Sequence, residues 1–257
     1  MISRSEAGAQ PAPWGSLVTA ALPVAWLVSL LALLPLDPGR LPAWALLTAL
    51  LVRTQLQTGL FILGHDAMHR VLWPGRPRLN DRLGALALLV YAGLPYGRCA
   101  AQHRRHHRHT ASAQDPDFPH GQRSGWWSWY LRFMGGYLSL SQMTRLVAAW
   151  ALLALLRGGL AGSALPAGSA LLSVLSVCIL PLLLSSLQLF VVGTYLPHRR
   201  QRGAPSPSQP DSLNLPEWLS LLACFHFGYH QEHHDHPNLP WYDLPAARKR
   251  ARRLAVE

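Results

Sequence analysis

Five histidines fall within the stretch CFHFGYHQEHHDHP, Cys224–Pro237: His226, His230, His233, His234 and His236. Two further clusters lie upstream. HDAMH supplies His65 and His69, and HRRHHRH supplies His103, His106, His107 and His109. A lone His198 closes the last long apolar run, in LPH. Imidazole nitrogen suits zinc, copper, iron and nickel, and burying it beside apolar sequence is costly unless a partner is supplied. The three cysteines, Cys99, Cys178 and Cys224, have no paired spacing. Neither a disulfide framework nor a CxxC metal site is expected, so a metal site in this chain is a nitrogen site.

Helical spacing sorts the histidines. At roughly 100° per residue, His65 and His69 share one face. His103, His106 and His107 share another, with Arg104, Arg105 and Arg108 pointing away from it. His226, His230, His233 and His234 form one stripe across two turns, although His226 is left open as a ligand. His109 falls off its stripe, His236 precedes Pro237, where a helix is expected to stop, and His120 stands alone. Nine candidates remain: His65, His69, His103, His106, His107, His198, His230, His233 and His234. One structural zinc takes about four ligands, and a catalytic one about three from protein. Nine imidazoles therefore point to two metals. Two-metal zinc hydrolases add bridging carboxylates, and only 12 residues here are acidic. The HExxH signature of zinc proteases is missing, because Gln231 follows His230. Asp66, Asp117, Glu232 and Asp235 are candidates for carboxylates that hold an imidazole through its other nitrogen, with capping or solvation as their alternative role. Two other readings compete: a surface histidine tract that takes up metal adventitiously, and a membrane metal transporter with histidine loops. A transporter would place polar ligands at the bilayer midplane, whereas these sit at the ends of apolar runs.

The elements that must position these residues are those of a membrane chain. Half of the 257 residues are hydrophobic and only 14% are charged, against about 25% charged in a typical soluble domain. The net charge is +11, nearly all of it from arginine. Beside long apolar runs this balance points to the anionic face of a membrane, and no nucleic-acid partner is expected. Ser16–Leu36 is an uncharged run of 21 residues, longer than the roughly 7–15-residue core of a signal peptide, and DPGR ends it as a turn. Leu41–Gly64 follows with a single charge, Arg53, which must be paired or face protein. Residues 158–197 carry no charge, and GGLAGSALPAGS marks a turn near their start. Arg145–Leu156 and Ala170–Leu196 are then the arms of a second hairpin, the first of them short. Gly84–Gly97 is apolar but too short to span, so it is expected to be interfacial or re-entrant.

The expected fold is all-α, a single integral-membrane domain with about four transmembrane helices in two hairpins, near 16–36, 41–64, 145–156 and 170–196. A histidine-rich helical cap is expected at 65–130 and 198–245, and a basic tail at 246–257. Eight arginines between Arg70 and Arg108 and the closing ARKRARR, against Arg40 alone in the first loop, place the cap and both termini in the cytoplasm. The two cap segments, which contain every histidine in the chain, then lie on the same side.

HxxxH, HxxHH, a single His after the long hairpin and a final HxxHH resemble the membrane desaturase and hydroxylase superfamily. TGLFILGHDAMH (Thr58–His69), DPDF (Asp115–Phe118), SSLQLFVVGTYLPH (Ser185–His198) and FHFGYHQEHHDHPNLPWYDLP (Phe225–Pro245) resemble one branch of it, the bacterial β-carotene ketolases. The likeness spans about residues 55–245, and its last block is the most specific. The second box departs from the usual pattern, since arginines follow His103 and a third consecutive histidine is replaced by Arg108. The resemblance implies a non-haem di-iron centre on a cytoplasmic cap over four transmembrane helices, O2 as co-substrate, and a bacterial inner-membrane location. It also implies oxidation of the C4 methylene of β-ionone rings to a ketone, taking β-carotene to echinenone and canthaxanthin. A carotenoid hydroxylase or a fatty-acyl desaturase of the same superfamily is the alternative. No nucleotide-binding glycine motif, flavin site or haem-attachment motif is apparent, so the electrons are expected from a separate donor such as ferredoxin. A substrate pocket is expected at the helix ends beside the boxes, from Leu63, Met68, Leu189, Val192, Tyr195, Phe225, Phe227 and Tyr229. Trp126, Trp127, Trp129, Tyr130, Trp241 and Tyr242 are expected to form an interfacial aromatic belt.

Overall fold

A computed structural model describes residues 13–118, 125–161, 166, 168–199 and 210–254 of the chain. Every regular element among them is helical. The lone His120 lies outside the described residues, as do both chain ends.

Helix α1 (Pro13–Leu33) returns through a turn capped by Asp37, whose carboxylate accepts the Gly39 N–H at 3.1 Å, into α2 (Ala43–Met68). The 26 residues of α2 extend about 39 Å at 1.5 Å per residue, and their far end carries the first histidine pair. The single charge expected to need a partner in α2 has several. Arg53 is 1% exposed; its Nε donates to the Val177 carbonyl at 3.0 Å, and Nη1 donates to the Trp26 carbonyl at 2.7 Å and Ser29 Oγ at 3.0 Å. Its guanidinium also lies over the Trp26 ring.

The apolar stretch Gly84–Gly97 divides into the end of α3 (Pro77–Ala92) and the start of α4 (Tyr96–Arg108), bent by 99°. Gly93 makes the break in the left-handed region (φ 63), where its N–H closes α3 on the Leu89 carbonyl. Helix α3 packs closely on α2: a Cβ at Gly84 would lie 2.3 Å from Ala67 Cβ, and one at Gly64 would lie 2.4 Å from Leu88 Cδ2. Small residues permit such an approach.

Helix α5 (Trp126–Tyr137) precedes α6 (Leu140–Ala161), and α7 runs Ser169–His198 with two π-helical segments, Leu175–Ile179 and Leu189–Tyr195. The arm expected to be short, Arg145–Leu156, is in fact a 22-residue helix. It runs past Arg157 because that guanidinium folds inward, donating to the carbonyls of Leu34 at 2.6 Å and Leu36 at 2.8 Å. Helix α6 also enters the expected turn; residues 162–165 and 167 of that turn lie outside the described residues. Among the described residues three helices are long and apolar enough to cross a membrane, α2, α6 and α7, and the bent α3–α4 pair makes up to four. The described apolar part of α1, Leu17–Leu33, is shorter.

Beyond α7 come α8 (Glu217–Cys224), α9 (His230–Asp235) and, after the turn Trp241–Asp243, α10 (Leu244–Leu254). The continuous stripe expected from His226 to His234 is not formed. Helix α8 stops at Cys224, and Phe225 (φ 47) and His226 (φ 63) both turn left-handed. This conformation is unfavourable for non-glycine residues, and packing offsets it: Phe225 is buried edge-on against Trp241, with ring centroids 5.2 Å apart. The described part of the basic tail is tied to the fold. Leu244 and Ala247 are buried, Arg248 pairs with Glu232 at 2.8 Å, Lys249 with Glu217 at 2.5 Å, and Arg252 donates to Asn214. Of the expected aromatic belt, Trp126 and Trp127 are exposed, whereas Trp129, Trp241 and Tyr242 are buried.

Candidate metal centre

The end of α2, all of α4, the end of α7 and the short α9 converge, and each brings its histidines. His65, His69, His103 and His233 can offer ligand nitrogens that all lie within 4.8 Å of one another. His106, His198, His230 and His234 form a second such group. His107 stands between them: its Nε2 lies 3.0 Å from both His103 Nε2 and His233 Nε2, and its ring stacks on His234 with centroids 4.2 Å apart. All nine candidates of the sequence reading are thus brought together, in two adjoining groups.

The local reasons are visible in each element. On α4, His103 and His106 are buried while Arg104, Arg105 and Arg108 are exposed, as the facial argument requires. His109 is the C-cap of α4, and His236 is the exposed C-cap of α9. Neither belongs to a group of ligand nitrogens. The π-helical segment Leu189–Tyr195 ends just before His198; such bulges are frequent at functional sites. His198 Nδ1 donates to the Thr194 carbonyl at 2.8 Å, which leaves Nε2 as its free lone pair. His226 stays outside both groups and stacks on Tyr229, centroids 5.7 Å apart and rings nearly parallel.

The nitrogen atoms fit a cation better than they fit one another. His65 Nδ1 and Nε2, His198 Nε2 and His230 Nδ1 are buried with no hydrogen-bond partner, a costly state for a polar atom. The Nε2 atoms of His69 and His107 both face His103 Nε2, at 2.7 and 3.0 Å, and His107 also faces His233. A neutral imidazole carries one N–H, so convergent nitrogens leave lone pairs facing each other unless a cation takes them. Burial first, and then the surrounding imidazoles, hold His230 and His233 well below the usual histidine range. Both are therefore neutral at pH 7, the state that binds metal.

The carboxylates sort differently from the expectation. Asp115, which spacing did not single out, takes the imidazole-holding position: His106 Nδ1 donates to its Oδ1 at 2.9 Å, and it is fixed in turn by the Ala111 and Asp117 N–H groups. Asp117 Oδ2 is 4.0 Å from the same nitrogen, and its carboxylate accepts the Tyr137 hydroxyl instead, at 3.0 and 3.1 Å. Burial raises Asp117 to about 6, so it remains a carboxylate at neutral pH. Asp66 accepts the Trp241 N–H at 3.2 Å and lies 3.6 Å from His65 Nδ1, beyond a hydrogen bond. Glu232, 3% exposed, holds Ser212 and Arg248 rather than an imidazole, which ties α9 to α10. Asp235 is exposed. Asp115→Asn is accordingly expected to weaken metal retention ~10–100-fold, measured as the chelator concentration that strips half the metal; an unchanged value would show that His106 does not depend on this carboxylate.

A cavity of about 250 Å3 opens onto both groups through His65, His103, His106 and His230. Of the eight expected pocket residues, Leu189 and Phe227 line it. Leu63 lines a second cavity, about 610 Å3, with Asp66. Met68, Val192, Tyr195, Phe225 and Tyr229 line neither. The rest of the first cavity comes mainly from Phe133, Met134 and Tyr137 of α5, Leu146 and Trp150 of α6 and Leu182 of α7. Helices α5 and α6 contain no histidine, so nothing in the histidine spacing pointed to them; only their apolar, aromatic composition could have.

Such histidine clusters on apolar helices define a class of membrane protein, and the chain belongs to it: the fatty acid desaturase family model matches residues 38–257. Within that class it is similar to proteins with a narrower name. It is 42% identical over 197 residues to the β-carotene ketolase of Paracoccus sp. (strain N81106 / MBIC 01143), covering 76% of each chain. It is 40% identical over 235 residues to the β-carotene ketolase of Paracoccus sp. (strain PC1), covering 90% of this chain and 91% of the relative. It is 38% identical over 219 residues to the zeaxanthin 4-ketolase of Chlamydomonas reinhardtii, covering 83% of this chain and 47% of the relative.

Proposed function

We propose that the protein is a carotenoid ketolase of a bacterial inner membrane, converting the C4 methylene of the β-ionone rings of β-carotene to a ketone, by way of echinenone to canthaxanthin. The observation that carries this reading is an apolar cavity that ends on two adjoining groups of histidines. The named relatives support the choice of substrate. In this reading His65, His69, His103 and His233 hold one iron, His106, His198, His230 and His234 hold the other, and His107 serves between them. A pair of irons bound there supplies O2 activation, which an unpolarised C–H bond needs and acid–base groups cannot replace.

The chain supplies the rest. A cavity of about 250 Å3 is near the lower end of ligand pockets, the scale of one terminal ring; the polyene would extend toward the lipid between α5, α6 and α7. Leu146, Trp150, Leu182 and Phe227 keep water from the ring and limit its positions. Asp115 and the Thr194 carbonyl orient His106 and His198. The arginine-rich side faces the cytoplasm with both termini and the histidines, where a ferredoxin-type donor would deliver electrons.

Expression in a β-carotene-producing host, with pigment analysis and elemental analysis of the protein purified in mild detergent, tests the reading. Echinenone, canthaxanthin and two irons per chain are expected. Zeaxanthin without any 4-keto product would make the chain a hydroxylase, and one zinc without iron would remove the di-iron mechanism.

A further inference from the structure

The cavity beside the histidines is mostly apolar; hydroxyls of Tyr91, Tyr137, Ser186 and Thr194 enter its wall, and Asp117 is the acidic side chain there. Asp117 is 8% exposed, and its imidazole-holding role is already filled by Asp115. What it does hold is the Tyr137 hydroxyl, and Tyr137 also lines the cavity. A carboxylate offers about four lone-pair sites, so one hydroxyl leaves it able to accept a second hydrogen bond from a group in the cavity.

We propose that Asp117, oriented by Tyr137, holds the hydroxyl of the half-oxidised ring, so that the alcohol is oxidised again before it leaves. This rests on the ketolase reading. Each oxidation there consumes one O2, two protons and two electrons from an external one-electron donor. The first replaces a C–H of the methylene by C–OH and releases one water. The second replaces the remaining C–H of the same carbon and releases another water; the geminal diol loses a third to leave the ketone.

An acceptor in this place discriminates among the three states of the ring. The unoxidised ring has no donor and gains no bond to the carboxylate, which keeps the one from the Tyr137 hydroxyl. The alcohol donates to the carboxylate, a charge-assisted bond of the stronger kind. The ketone has no donor, loses that bond and departs. Retention is thus greatest for the species that must stay.

Asp117→Ala and Tyr137→Phe test this in β-carotene-producing cells and with purified protein. The ratio of 4-hydroxy to 4-keto pigments is expected to rise ~tenfold or more for Asp117→Ala and about threefold for Tyr137→Phe, since a hydrogen bond to a charged group is worth a tenfold or larger factor. Iron per chain stays as in the wild type. Binding of a 4-hydroxy carotenoid, followed by its visible absorption, weakens by a similar factor, while β-carotene binding does not change. Unchanged pigment ratios and unchanged relative affinities with normal iron content would overturn the proposal. So would loss of iron in Asp117→Ala with a neutral Tyr137→Phe, because Asp117 would then serve the metal groups. If Asp117→Ala does not fold, the Tyr137→Phe ratio decides. A wild type that makes no ketone removes the ketolase reading itself, a result distinct from all of these.

Discussion

His233→Ala is expected to lower 4-keto pigment ~100-fold or more and to lose iron, whereas His109→Ala and His236→Ala keep most of both. His233 is buried and belongs to the group formed with His65, His69 and His103, and its Nε2 also meets His107 Nε2 at 3.0 Å. Removing it takes one nitrogen from the first group and one of the two contacts, through His103 and His233, by which His107 Nε2 joins it. Changing a residue that merely orients a ligand typically costs 10–100-fold, so loss of a ligand should cost at least the upper end of that range. His109 and His236 provide the contrast: both are helix caps next to the clusters in sequence, and neither belongs to a group of ligand nitrogens. Pigment analysis and elemental analysis on the same preparations check the split. Equal damage at all three positions would mean that histidine content, rather than the two groups, governs activity.

Gly84→Val is expected to abolish most of the folded, iron-loaded protein without touching a histidine. A Cβ at residue 84 would lie 2.3 Å from Ala67 Cβ and 2.8 Å from Tyr96 Cε2. Neither neighbour can yield easily. Ala67 Cβ is fixed to the backbone of α2 between His65 and His69, and its carbonyl accepts Asn80 Nδ2 at 2.8 Å and the Tyr96 hydroxyl at 2.7 Å. Helix α3 would have to leave α2, carrying α4 and its three histidines with it. Overpacking alone costs ~1–3 kcal/mol, and the displaced hydrogen bonds add to that. Gly97→Ala, at a position where a Cβ meets nothing within 4 Å, is the control and should behave as wild type. Monodisperse yield, thermal midpoint in detergent and iron per chain measure the effect; a Gly84→Val protein with normal values would contradict the close packing of α2 on α3.

Spacing alone groups eight of the nine candidate histidines, because a helix converts i, i+3 and i+4 into one face whatever surrounds it; His198 is singled out by its place at the end of an apolar run, and His236 is set aside for the proline that follows it. The long apolar runs were legible for a similar reason: crossing a membrane demands length and the near-absence of charge, both local properties. The need of Arg53 for partners could also be stated, but not which carbonyls would serve. Tertiary packing decided the rest. It broke the stripe at His226, since Phe225 against Trp241 outweighs helical continuity. It extended α6 past Arg157 by folding the charge onto the carbonyls of the first loop. It gave His106 to Asp115 and left Asp117 for the cavity, a choice between two carboxylates two residues apart that spacing cannot make. It also drew the cavity wall from α5 and α6, which carry no chemical signature of their own, because a pocket belongs to whichever surfaces meet and not to the residues nearest a motif.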